Sequence, residues 1–207
     1  MTNNQKGAQR IYERNKKNKM ESVSGTGSTL QVTKNFRDWL EKLIKEYDIK
    51  SILDVPCGDW NWMQHVDLSG IHYLGCDIVP EMIETNLRQY AHYTDEQESV
   101  DFVRTDIIDE TNLEYHDLII CRDFLFHLTL EQASKVLDNF KKSGTKYLIS
   151  TSFDIQSNND FSKDEKELGW SWRPINLHQE PFNLGKEIDS ILEPEMNNRK
   201  QKLWKIQ

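Results

Sequence analysis

Long apolar stretches are missing from this chain. No run among its 207 residues approaches the ~20 that a membrane-spanning helix needs. The opening residues, MTNNQKGAQR, have no apolar core of the signal-peptide kind. The expectation is therefore a cytoplasmic protein with no membrane span. Cysteine is scarce and wrongly spaced for a disulfide framework or a metal cluster. Cys57, Cys76 and Cys121 are odd in number, far apart and without a CxxC, so reduced, buried thiols are expected. Positive charge is in deficit, with 26 Lys and Arg against 34 Asp and Glu and a net charge of -8. That balance argues against a nucleic-acid partner held through its phosphates. Internal repeats and long low-complexity segments are also absent.

What is there suits one globular domain. The length is enough for a single core and short of two. Hydrophobic residues make up 37% and include six tryptophans, while a mean hydropathy of -0.74 puts much polarity into surface and loops. One local basic patch stands out: Lys6, Arg10, Arg14, Lys16, Lys17 and Lys19 against Glu13 and Glu21. It reads first as a solvated, partly helical tail, with a lid over a bound anion as the alternative. The expected division is a basic segment with a Ser/Gly lid loop over 1–30, then one domain over 31–207.

Hydrophobic periodicity predicts a helix over 33–47, with Phe36, Leu40, Leu43, Ile44 and Tyr47 on one face and Thr33 as N-cap. Short apolar runs then alternate with helical stretches. Strands are expected at 51–55, 72–78, 100–107, 116–123 and 146–153, and helices near 80–91, where Pro80 can start one, and at 130–142. Such βα units form a parallel sheet with helices on both faces, and right-handed crossovers bring the strands' C-terminal ends to one ligand-binding edge. Residues 154–185 read as a long polar loop, followed by a hairpin of 188–192 and 202–206. The fold class is α/β, Rossmann-like, with a mostly parallel seven-stranded sheet closed by an antiparallel C-terminal hairpin.

Residues 53–60, LDVPCGDW, occupy the place of a D-x-G-x-G-x-G cofactor loop. Pro56 and Trp60 stand where the outer glycines belong, and only Gly58 remains. A dinucleotide's pyrophosphate must approach the backbone closely, which takes several glycines. Pro56, with φ fixed near -65°, cannot imitate one at positive φ. S-adenosylmethionine (SAM) has no phosphate, so one glycine suffices beneath its methionine part and ribose. Three strand-end acids complete the pattern. Asp54 suits the cofactor's ammonium, Asp77 the ribose hydroxyls and Asp106 the adenine amino group; each alone could equally be a surface or cap carboxylate.

Read in order, ESVSGTGS (21–28), ILDVPCGDWNWM (52–63), YLGCDIVPEMIETN (73–86), CRDFLFHL (121–128), NFKKSGTKYLISTSF (139–153), RPINL (173–177) and PFNL (181–184) resemble one group of class I SAM-dependent methyltransferases. That group occurs in bacteria and large algal viruses, often beside or fused to glycan-building enzymes. The resemblance covers about residues 12–206 and is most specific in PCGDxxWM and CRDxLFHL. It implies SAM as donor, with S-adenosylhomocysteine (SAH) as product, and a sugar or glycan-precursor hydroxyl as acceptor. The chain departs from the group at SNNDF (157–161), where Asp160 can be matched, and at GWSW (169–172), where a glycine-rich turn is usual.

The expected cofactor set is Ser24, Gly25, Asp54, Pro56, Cys57, Gly58, Asp59, Trp62, Asp77, Ile78, Asp106, Ile107, Cys121 and Arg122. Ser22, Ser24, Gly25, Gly27 and Ser28 form a loop whose hydroxyls and amides suit the cofactor's carboxylate, or an ordinary flexible connection. Trp60 and Trp62 read as pocket walls, with helix packing as the alternative. Arg122 can contact a carboxylate or form a surface ion pair, and the surface is favoured. For the acceptor's proton, His127 is the candidate base and Asp123, four residues before it, its partner on a helical turn; a packed histidine is the alternative. Asp160, Trp170, Trp172, Arg173 and Asn176 lie in the polar segment that would meet the acceptor, with Asp160, Trp172, Arg173 and Asn176 as the expected contacts. A divalent metal on Asp123 and Asp160 is possible but not demanded by spacing. Oligomeric state is open.

Overall fold

The computed structural model describes residues 2–95, 98–168, 171–193 and 199–207. The chain opens with helix α1 (Asn3–Lys17), fixed at its start by a capping box in which Thr2 and Gln5 satisfy each other's backbone N–H groups. A Ser/Gly loop leads to α2 (Leu30–Glu46). Thr29, not the expected Thr33, caps α2. Thr33 lies inside the helix, where its hydroxyl donates to the Thr29 carbonyl at 2.9 Å. The expected apolar stripe is real: Phe36, Leu40 and Leu43 are almost wholly buried, as are Trp39 and Ile44 beside them. Each side chain of this size stabilises the fold by roughly 1.5–3 kcal/mol on burial.

Strands β1 (Ser51–Asp54) and β2 (His72–Asp77) follow, then α3 (Pro80–Tyr90) with Pro80 in its first turn. A short strand β3 (His92–Asp95), not anticipated, turns back antiparallel along the edge of β4 (Glu98–Arg104). Strand β5 (Leu118–Cys121), helix α4 (Leu130–Lys142) and strand β6 (Tyr147–Ser152) match the expected fourth and fifth βα steps. The expected loop after β6 contains one short helix, α5 (Lys163–Leu168). The hairpin is β7 (Asp189–Glu193) and β8 (Arg199–Lys205).

The sheet order is β3-β4-β2-β1-β5-β6-β8-β7. The seven expected strands are present, with β3 as an eighth at one edge. Strands β4, β2, β1, β5 and β6 are parallel, and β8 runs antiparallel to both β6 and β7. The register follows from burial. Strand β5 is buried along its whole length, as a central parallel strand covered on both faces must be. One cluster packs α2 against the sheet through Phe36, Leu40 and Ile52, a second packs α4 through Val136, Leu137 and Phe140, and a small third joins Tyr12 of α1 to Val79 and Met82. This topology delivers Asp54, Asp77, the residues after Cys121, Phe153, Glu193 and Arg199 to one edge.

Candidate functional site

A cleft opens at that edge with about 770 Å³ free of atoms, its open mouth included. Asp54, Pro56, Cys57 and Gly58 form its floor, with Trp62, Asp77, Ile78, Arg122, Asp123 and Ser24 around it. A smaller recess beside it shares Pro56, Asp77, Ile78 and Phe124 and adds Asp106 and Ile107.

Gly58 sits at φ +59°, the left-handed region where glycine costs least, and a Cβ there would collide with the Ser24 hydroxyl. Trp60, in the outer glycine's place, also adopts a left-handed φ of 57°. It takes the glycine's backbone shape and turns its indole inward against Tyr73, Tyr90 and Phe102. Trp60 is therefore core, which corrects its reading as a pocket wall, whereas Trp62 does line the cleft.

Asp54 is almost fully buried and accepts the Tyr73 hydroxyl at 2.7 Å. Burial pushes its pKa up to about 7, against the opposing pull of that hydrogen bond. Asp77 accepts the N–H groups of Gly58 at 3.2 Å and Val79 at 2.9 Å, and burial raises it to about 6. Asp106 lies two residues past β4; burial raises it too, and it accepts the Ile108 N–H at 3.3 Å. Two desolvated carboxylates facing one cleft make a site that favours a cation or a set of hydroxyl donors. Cys121 is sealed in the core, its thiol pushed up by burial, and does not line the cleft.

Arg122 corrects its own expectation. It is buried, not on the surface. Its guanidinium ion-pairs with Glu193 at 2.6 Å and Asp123 at 3.2 Å, and donates to the Gly27 carbonyl at 2.8 Å. Arg199 pairs with the same two acids. Thr151 donates to Asp123 at 3.0 Å, and Gln201 donates to Glu193 at 2.9 Å. Two guanidiniums, two carboxylates and two neutral groups thus form one buried cluster, in which the partner of each charge offsets its desolvation.

The N-terminal segment covers this floor. Asp59 accepts from the hydroxyls of Ser22 and Ser24 and from the Val23 N–H at 2.9, 3.0 and 2.7 Å. Asn15 of α1 donates to the Val23 carbonyl at 2.9 Å. Ala8, Ile11 and Tyr12 of α1 line the cleft, residues that the sequence reading passed over. Their spacing along an otherwise polar helix was the available signal. Gly25 is in the loop at φ +118° but outside the cleft lining, and Asp59 serves the loop.

No α-helical turn joins Asp123 and His127. Asp123 has a left-handed φ of 56°, and a 3-10 turn, Leu125–His127, follows. Asp123 reaches the cleft; His127 does not line it. The His127 ring packs beside Phe126, with Nδ1 at 2.7 Å from the Ser171 carbonyl, and burial lowers its pKa to about 4. Nδ1 therefore carries the proton and donates it to Ser171.

Of the expected acceptor contacts, Trp172 lines a cavity. Asp160 pairs with Lys166 at 2.7 Å and accepts the Leu130 N–H at 3.1 Å. Arg173 donates to the Leu128 and Asn159 carbonyls at 2.7 Å each. Asn176 is buried and donates to the Ile155 carbonyl. These three stitch together the long loop rather than facing the cleft, and Asp123 and Asp160 have separate partners. Gly169 and Trp170 of the GWSW turn lie outside the described residues. Among the described residues, no group of three or more His, Cys, Asp or Glu is placed to hold a metal ion, and no helix is long and apolar enough to cross a membrane.

The parallel sheet, the reversed β8 between β6 and β7, and a cleft over the β1 and β2 ends together define the Rossmann-like fold of class I methyltransferases. Residues 53–144, from β1 to just past α4, match the family model described as a methyltransferase domain. Among solved structures, the chain is similar to the N-methyltransferase NodS of Bradyrhizobium japonicum in complex with SAH, with a TM-score of 0.65 and 12% identity over 99% of this chain and 98% of that one. It is also similar to a SAM-dependent methyltransferase of Leishmania major, with a TM-score of 0.65 and 13% identity over 97% and 82% of the two chains. The magnesium protoporphyrin IX methyltransferase of Synechocystis, solved with bound SAH, gives a TM-score of 0.59 and 14% identity over 83% and 82%. At these identities the likeness establishes the fold. No curated protein matches the sequence.

Proposed function

We propose that this protein is a SAM-dependent methyltransferase that methylates a hydroxyl of a sugar or glycan precursor. The observation that carries the cofactor is the cleft itself: buried Asp54 and Asp77 around a left-handed Gly58, with Asp106 in the adjoining recess. When bound, SAM supplies a methyl group already activated on a sulfonium. In this reading Asp106 accepts from the adenine amino group and Asp77 from the ribose hydroxyls. Asp54 faces the ammonium, Arg122 faces the carboxylate, and Gly58 lets the backbone pass close beneath. Helix α1 and the Ser22–Ser24 segment exclude water from above. The likeness to methyltransferases bound to SAH supports this assignment.

The acceptor oxygen displaces SAH in line, so alignment is most of what the protein must supply. The new C–O bond makes the hydroxyl proton strongly acidic, and a modest base nearby is enough. Asp123, which lines the cleft, is assigned that role. His127, off the cleft and with a pKa of about 4, is assigned to packing. A hydroxyl on a sugar is favoured by the motif resemblance and by an exposed indole, Trp172, in the loop beyond β6. Calorimetry with SAH tests the cofactor. Mass spectrometry of SAM incubated with nucleotide-sugars and glycosides, beside amines, RNA and peptides, tests the acceptor. A protein that binds no SAH refutes the first assignment, and methylated amines without methyl ethers refute the second.

A further inference from the structure

Beyond the cofactor cleft, the same sheet edge carries a second cavity with about 850 Å³ free of atoms, its open side included. Its apolar lining is Phe153, Ile155, Pro174, Leu192 and Trp172. Trp172 is 52% and Leu192 43% exposed, large apolar surfaces of a kind that usually mark binding. The indole is held edge-on by Phe126 and Phe153, with ring centroids 6.1 and 6.0 Å away, so the platform is braced. The polar part of the lining is one opposed pair. Asp154 accepts from Lys200 at 2.5 Å and from the buried Lys202 at 3.0 Å.

From this arrangement we infer that the groove beside Trp172 is a subsite for a neutral saccharide ring of the acceptor. Such a ring has an apolar C–H face that fits an indole and hydroxyls around its rim that both donate and accept. The carboxylate of Asp154 can only accept and the ammonium of Lys200 can only donate, so the pair matches both functions of a hydroxyl rim. Balanced charge at the rim fits a neutral ring better than a phosphate or an amine. A purely apolar ligand would bury the pair without satisfying it. The groove and the cluster at the cleft wall share the β7–β8 hairpin but lie on its opposite faces, because successive strand residues alternate in direction. Leu192 precedes Glu193 and Lys200 follows Arg199, and Glu193 and Arg199 bind Arg122 and Asp123. A ring seated here belongs to a molecule that would pass over the strand ends to reach Asp123.

The inference rests on the methyltransferase reading, yet the two can fail separately. Whole protein labelled with 5-fluorotryptophan gives a Trp172 line in fluorine NMR, assigned with Trp172→Phe. Methyl glycosides of neutral hexoses and deoxyhexoses are titrated against it, with AMP and a short peptide as counter-probes. A glycoside should shift the Trp172 line saturably, and the counter-probes should not. Lys200→Met should weaken that glycoside about tenfold, as expected for losing a hydrogen bond from a charged donor, with SAH affinity and thermal midpoint unchanged. SAH binding without any glycoside response overturns the subsite and leaves the methyltransferase reading standing. A glycoside response without SAH binding upholds the subsite and refutes that reading. A response to AMP or peptide alone overturns it.

Discussion

Lowering the pH from 7 to 5 should weaken SAH binding by about 500-fold, because the cleft then holds two neutral acids in place of two carboxylates. The figure comes from Asp54 at about 7 and Asp77 at about 6. With both groups required in ionised form, about half of the molecules qualify at pH 7 and about one in a thousand at pH 5. The ratio corresponds to about 3.7 kcal/mol. The sign for the unliganded protein is the reverse of the usual carboxylate case. Both folded-state pKa values are raised, so the folded chain holds more protons than the unfolded one between about pH 4 and 7, and its stability falls as pH rises through that window. A ligand that needs the carboxylates ionised releases those protons, so its affinity climbs over the same window. Calorimetry at several pH values gives the affinity, and repeating it in buffers of different ionisation enthalpy gives the protons released. Asp54→Asn should flatten the dependence to about tenfold, the share left to Asp77. An SAH affinity that changes less than threefold between pH 5 and 7, or no proton release, would refute the placement of the ligand against these two acids.

Asp59→Ala removes three hydrogen bonds to the Ser22–Ser24 segment. It should weaken SAH binding about tenfold or more and speed deuterium exchange in that segment and α1, read by mass spectrometry. His127→Gln should lower kcat less than about tenfold with SAH affinity unchanged, whereas Asp123→Asn should lower kcat by about 100-fold or more; equal losses in the two variants would return the base role to His127. Phe36→Ala empties a fully buried site in the α2 core and should cost about 3–5 kcal/mol in denaturant titration, with a lower thermal midpoint.

Periodic elements were legible because their burial is local. Helices α3 and α4 and strands β1, β2, β5 and β6 each carry an apolar pattern that fixes one face or two, and the structure places them within a few residues of expectation. Strand β3 was not legible: its four residues at the edge have no pattern to set them apart from a turn. The acids at the cleft were visible from strand-end position alone. Arg122 was not, since its partner Glu193 is 71 residues away and nothing local announces a buried counter-charge. Trp60 deceived for a backbone reason, because its left-handed φ reverses the side chain's direction. Asp160, Arg173 and Asn176 misled in another way. They sit in a long irregular segment whose buried carbonyls and N–H groups need partners, and they are spent on that need.

The long span between Arg122 and Glu193 has a consequence for biosynthesis. A ribosome delivers the glycine loop, the two cleft acids and Arg122 well before β7 and β8. Until Glu193 emerges, Arg122 has its neighbour Asp123 as an ion-pair partner and lacks the shorter of its two ion pairs. The nascent chain therefore carries every residue that would touch the cofactor and still lacks a closed cleft wall. Ribosome-held chains stopped near residue 185 should stay open there. The last strands made thus supply the last side chains that brace the cleft wall.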